Sequence, residues 1–216
     1  LVTLKPWCLV RASLLWYTAA TIAAQIVAPP SYNWLERTVS ALGAQGYPYG
    51  WIMRVGMIGY GLMFGAALVQ DLAGRRRASG PKLLLLLHAG LMALTGLIST
   101  SPFVPGVAYS AVQGLWHWNF AMAAGASIGL SMAWHLITEA DLRARFVHLT
   151  AVALLIAFSV GFGLASARTI AIGPGLVQRL LHGVGLVWLW GRYGRPQNSA
   201  APIPPPRSVD TVREMP

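Results

Sequence analysis

Six largely apolar stretches follow one another along the chain, each close to the roughly 20 residues that an α-helix needs to cross the hydrocarbon core of a bilayer. A backbone in lipid must satisfy its own hydrogen bonds, so runs of this length admit helices and little else. Only 10% of the 216 residues are charged and 56% are hydrophobic, with a mean hydropathy of +0.56. That is too few charges to cover a water-facing surface. The expected fold class is all-α, a polytopic membrane protein built as a six-transmembrane-helix bundle with both termini cytoplasmic.

The spans are read as residues 9–28, 52–72, 83–101, 112–138, 147–167 and 176–193, one transmembrane domain over residues 1–193. A proline-rich polar tail, 194–216, is expected to be disordered. Pro29 and Pro30 close the first span, and Gly173, Pro174 and Gly175 break the chain before the sixth. The loop between the first two spans, rich in aromatic residues and glycine, suggests a short interfacial helix around Trp34 to Leu42. The first residue is Leu rather than Met, as an alternative start codon or a truncated record would give. Lys5 and Arg11 ahead of an apolar run raise the question of a signal peptide. The run is long and lacks a small-x-small cleavage site before Pro29, so it is read as a retained helix.

A formal charge of +10 and a pI near 10.7 suggest nucleic acid in a soluble protein. Here the basic residues sit between apolar runs on alternate loops, which is an orientation signal, and no nucleic acid is expected as a partner. Lys5, Arg11, Arg75, Arg76, Arg77, Lys82, Arg143, Arg145, Arg192, Arg195, Arg207 and Arg213 fall on one side, and Arg37, Arg54, Arg168 and Arg179 on the other. This bias of 12 against 4 puts the first set in the cytoplasm of a cell whose inner membrane holds the chain. Trp51, Trp116 and Trp118 mark one interface, and Trp134, Trp188, Trp190 and Tyr193 the other. Cys8 is the single cysteine, so helix packing rather than a disulfide must hold the bundle. Gly61 and Gly65, and Ala121, Gly125 and Gly129, have the four-residue spacing that lets helices approach closely.

Familiar catalytic signatures are mostly missing, and the Gly-x-Ser-x-Gly match at Gly125 to Gly129 lies inside an apolar helix rather than at a strand-to-helix turn. Ionisable residues at membrane depth carry more information, because a charge there is costly and is paired or functional. They form two belts. Toward the outer face lie Glu36, Arg37, Ser40, Arg54, His117, Arg179 and His182. Arg179 and His182 share a helical face, as do Gln113 and His117, so an outer pocket can converge. The inner belt holds Asp71, His88, His135 and His148, which are candidates for a metal or haem as well as for ordinary interfacial histidines.

Several short motifs, in their order, resemble the bacterial and archaeal membrane proteins collected as domain of unknown function 998. They are Ser40-Ala41-Leu42-Gly43, the Gly-Tyr-Pro leading to Trp51 and Arg54, a proline-containing outer loop before His117, and Gly175-Leu176-Val177-Gln178-Arg179. The resemblance runs from the first span through the sixth and implies a six-helix membrane fold with no established reaction. The chain departs from the family pattern before His117, where Ser101-Pro102-Phe103-Val104-Pro105 lacks the acidic residue looked for after proline. The inner belt also resembles metal-dependent membrane hydrolases of the ceramidase type, although the His-x-x-x-His pair of those enzymes is missing.

The leading expectation is an outward-facing polar pocket for a small polar or lipid-headgroup ligand, with Ser40, Arg54, His117 and Arg179 as its residues and no cofactor. Arg179 would supply charge-assisted hydrogen bonds, Ser40 a hydroxyl, and His117 a switchable donor or acceptor. The alternatives are a membrane-embedded metal-dependent hydrolase or lipid-modifying enzyme, a haem-binding electron carrier using His88 with His135 or His148, and an assembly subunit.

Overall fold

The computed structural model describes residues 4–73 and 79–196. The expected tail, from residue 197 onward, and the basic stretch Arg75 to Arg77 lie outside the described residues. The described residues form six α-helices: α1 (Pro6–Ile26), α2 (Gly50–Ala73), α3 (Gly80–Leu97), α4 (Ala111–Thr138), α5 (Leu142–Ser166) and α6 (Pro174–Tyr193). The all-helical fold class stands, and helices α1 to α5 are long and apolar enough to cross a membrane by length and composition. The sixth, α6, carries Gln178, Arg179, His182 and Arg192 along its length.

Local chemistry sets the helix starts. Proline occupies the first turn of α1, α3 and α6, where its missing N–H costs nothing. Pro174 thus opens α6 rather than merely interrupting the chain before it. Asp141 caps α5 by accepting from the amides of Arg143 and Ala144, and Ser110 caps α4 by accepting from Gln113.

Each helix packs on its neighbours in chain order, and α1 closes the ring against α6. Consecutive helices run antiparallel. The long loops 27–49 and 98–110 and the short 167–173 therefore share one end of the bundle, here the loop end. The first turn of α1 and the last of α6 meet at the other, terminal end, where Arg11 Nε donates to the Gly194 carbonyl and the Arg11 guanidinium lies 5.0 Å from the Trp7 ring and 5.1 Å from that of Trp190.

Glycine sets the closest helix approach. A Cβ at Gly61 would collide with the α3 backbone at Ala89 and Ala93, and one at Gly96 with α2 at Arg54 and Ile58. The Gly61 spacing therefore serves packing of α2 on α3. Gly125 is different, with open space where its Cβ would be. Helix α5 is the least embedded, with only His148, Ala151 and Ala165 buried. Of the expected aromatic interface markers, Trp51, Trp116, Trp118 and Trp134 are exposed, whereas Trp188 is buried inside the bundle.

Gly61→Leu is expected to destabilise the bundle by about 1–3 kcal/mol through overpacking against α3, while Gly125→Leu is tolerated. Thermal unfolding in detergent compares the two, and equal midpoints would remove the packing role assigned to Gly61.

Candidate functional site

The loop end is organised by Arg179, in the second turn of α6. Its Nη1 donates to the carbonyls of Trp34 (2.7 Å), Arg37 (3.0 Å) and Gly175 (2.9 Å), and its Nη2 to Gln25 Oε1 (3.1 Å) and the Tyr32 hydroxyl (2.7 Å). One turn of the same helix adds Gln178 Oε1, accepting from the Val39 amide at 2.6 Å, and the Leu176 amide, donating to the Leu35 carbonyl at 3.0 Å. Any side chain at Gly175 would strike the Trp34 and Arg37 carbonyls, so glycine is required where the loop crosses α6.

These bonds explain why the expected interfacial helix over Trp34 to Leu42 reduces to a single 3-10 turn, Ser40–Gly43. The Trp34, Leu35 and Arg37 carbonyls and the Val39 amide are taken by α6, while the Glu36 and Arg37 amides turn back onto the Asn33 carbonyl. Tyr32 completes the lock by donating to the Thr38 carbonyl at 3.0 Å while it accepts from Arg179. Burial pushes the Tyr32 phenol above its ordinary range, and the Arg179 guanidinium pulls the other way.

The other three candidates lie at the same end. Arg54 Nε and Nη2 donate to the Gly96 and Leu97 carbonyls, each at 3.2 Å, satisfying the open C-terminus of α3. Its stem covers Gly43, where a Cβ would lie 3.2 Å from Arg54 Cγ. Ser40 Oγ donates to Thr38 Oγ1 at 3.3 Å. His117 is 2% exposed, and its Nδ1 donates to the Ile98 carbonyl at 2.6 Å. A carbonyl only accepts, so Nδ1 carries the proton and Nε2, buried with no partner, presents a lone pair. The structure thus brings the four into one region without aiming them at one cavity, and both arginines direct their donors at backbone carbonyls.

The loop end also holds a cleft of about 600 Å³ between residues 27–31, 45–49 and 102–107. None of Ser40, Arg54, His117 and Arg179 lines it. Its walls are prolines and rings: Phe103 packs edge-on against Tyr32 (5.6 Å between centroids) and Tyr47 (5.8 Å), and Tyr47 against Tyr49 (6.1 Å). Two of its polar side chains, Gln45 and Tyr47, are already paired. Gln45 Nε2 donates to the Ser110 carbonyl at 3.0 Å, its Oε1 accepts from the Ser110 amide at 2.8 Å, and the Tyr47 hydroxyl donates to Val27 at 2.9 Å. The surface of this cleft is largely apolar.

Deeper in the bundle, two pairs that the belts had separated meet at mid-depth. Tyr17 of α1 bonds His182 Nδ1 at 3.0 Å, and Tyr60 of α2 bonds His88 Nε2 at 2.9 Å, with the two tyrosine rings 5.5 Å apart. His88 Nδ1 donates to the Ala124 carbonyl of α4 at 2.9 Å, which leaves the Tyr60 hydroxyl as donor to Nε2. Both nitrogens of His88 are therefore engaged, and neither faces a haem iron.

At the terminal end, Trp188 Nε1 donates to His148 Nδ1 at 2.9 Å, and the Tyr193 hydroxyl bonds His135 Nε2 at 2.8 Å. The two imidazoles stack with centroids 5.3 Å apart. An indole only donates, so the His148 proton sits on Nε2, 3.9 Å from the Glu139 carboxylate. Asp71 forms an ion pair with buried Lys82. Of the alternative metal set, His135 and His148 meet, while His88 bonds Tyr60 and Asp71 bonds Lys82. Among the described residues, no three His, Cys, Asp or Glu side chains come together to hold a metal.

The motifs that α6 and the first loop contribute are thus one interlocked unit, and a family comparison covers them. The family model for "Protein of unknown function (DUF998)" matches residues 10–191. The chain belongs to this family. No curated protein and no solved structure matches it. Within DUF998 membership, sequence reasoning missed Tyr17, Tyr32, Tyr60 and Gln25, which complete the networks. Tyr17 and Gln25, eight residues apart, lie on one side of α1 and face His182 and Arg179, a spacing that the sequence does display.

Arg179→Lys keeps the charge but not the fork, and is expected to lose about 2 kcal/mol of stability with most of the loop bonds. Hydrogen exchange at residues 34–39 should rise in this variant; unchanged exchange there would refute the clamp.

Proposed function

We propose that this DUF998 protein is a six-span protein of the bacterial inner membrane that binds a small lipid-like ligand at its outward-facing loop end, in the cleft between residues 27–31, 45–49 and 102–107. The reading rests chiefly on that cleft, whose volume of about 600 Å³ is within the range of small-molecule sites. Gln45 and Tyr47 are satisfied internally, so affinity comes chiefly from burying apolar surface against Tyr47, Tyr49 and Phe103, with a polar head left at the water boundary.

The candidate residues then take different parts. Arg179 and Arg54 position the frame, Arg179 by fixing the first loop and Arg54 by closing α3 beneath it, and Ser40 belongs to the turn between them. His117 ties α4 to the end of α3 through the Ile98 carbonyl, with its Nε2 buried away from the cleft. Residues 1–193 act as the membrane domain and 194–216 as a tail on the cytoplasmic side, an orientation supported by the basic-residue bias.

Val104 is exposed at the cleft. Val104→Trp should fill the cleft and remove co-purifying lipid-like molecules detected by mass spectrometry from mild detergent, at unchanged thermal stability. Retention of the same molecules would sink the assignment. For orientation, Ala108→Cys in a Cys8→Ser background is expected to react with a membrane-impermeant maleimide in intact cells, and protection until lysis would reverse the topology.

A further inference from the structure

The terminal end holds a second cavity, of about 230 Å³, between the first turns of α1, the last turns of α2 and the end of α6. Its polarity is graded with depth. Val10, Ala67 and Leu68, which lie further along their helices toward the bundle centre, are all buried and form the floor. Asp71, Trp7 and Arg195 lie nearer the helix ends and form the rim. The acid on this rim is paired with Lys82, so its charge is offset. Arg195 is exposed, and Lys5, also exposed, immediately precedes the lining residue Pro6.

The position of Arg195 is fixed by its neighbour. Arg11 bonds the Gly194 carbonyl and lies against the Trp7 and Trp190 rings, tying the chain just before Arg195 to α1. An aromatic wall, an apolar floor toward the membrane centre and an exposed arginine at the water boundary match the gradient of a phospholipid, hydrocarbon below and phosphate above. We propose that this cavity binds the phosphate head of an anionic phospholipid, with the phosphate against Arg195 and the start of the acyl chain over Val10 and Leu68. The proposal is independent of the cleft at the loop end.

Native mass spectrometry of the full chain, with phosphatidylglycerol and phosphatidylcholine offered together, tests it. The protein should retain the anionic lipid preferentially, and Arg195→Ala should weaken that retention about fivefold, the effect of one interfacial cation. Arg195→Lys should restore most of it. Equal retention of the two lipids, or the same retention after Arg195→Ala, overturns the site. Displacement of the lipid by millimolar inorganic phosphate overturns the lipid assignment, because the cavity would then take the free anion.

Discussion

A guanidinium inside a helix at membrane depth must find acceptors, and the backbone of the first loop supplies them. Arg179 gathers three carbonyls, an amide oxygen and a phenol hydroxyl, and in doing so joins α6, α1 and the loop into one unit. Short turns within the loop are tied to α6 through the Trp34, Leu35 and Arg37 carbonyls and the Val39 amide, so a distant helix fixes where those turns lie. Gly175 lets the loop cross α6 on that frame, and Tyr32 carries it to the cleft wall through Phe103.

Most of the buried polarity follows the same rule. Each histidine of the bundle core finds a tyrosine, tryptophan or carbonyl partner on another helix, so the costly groups act as interhelical ties. Two nitrogens depart from it: His117 Nε2 and His148 Nε2 are buried without a hydrogen-bond partner. They sit toward opposite ends of the bundle, and their fixed tautomers give them opposite characters, an acceptor at the loop end and a donor at the terminal end.

The two cavities differ in a way that fits their surroundings. The cleft at the loop end is walled by prolines and the rings of Tyr47, Tyr49 and Phe103, while the smaller cavity at the terminal end keeps an arginine on its rim. Both lie at helix ends, where a membrane protein meets headgroups and water, and both are framed by contacts between segments distant in the chain.

The helical class and the approximate place of each helix were legible in the chain itself, because apolar length is a local property, whereas the Asp141 and Ser110 caps and the start of α5 at Leu142 came from the structure. The DUF998 motifs were legible too, as spellings whose partners were not. Sequence placed Arg54, Arg179 and His117 near one end but read them as ligand groups, since it cannot say which carbonyls a long side chain will meet. It sorted His88 and His182 into opposite belts by distance from a helix end, whereas antiparallel packing puts the middles of all the helices at one depth. What tertiary structure alone decided is the pairing: hydrogen bonds are short and directional, so whether a buried cation ties the fold together or awaits a ligand depends on atoms brought within about 3 Å, a distance no spacing along the chain encodes.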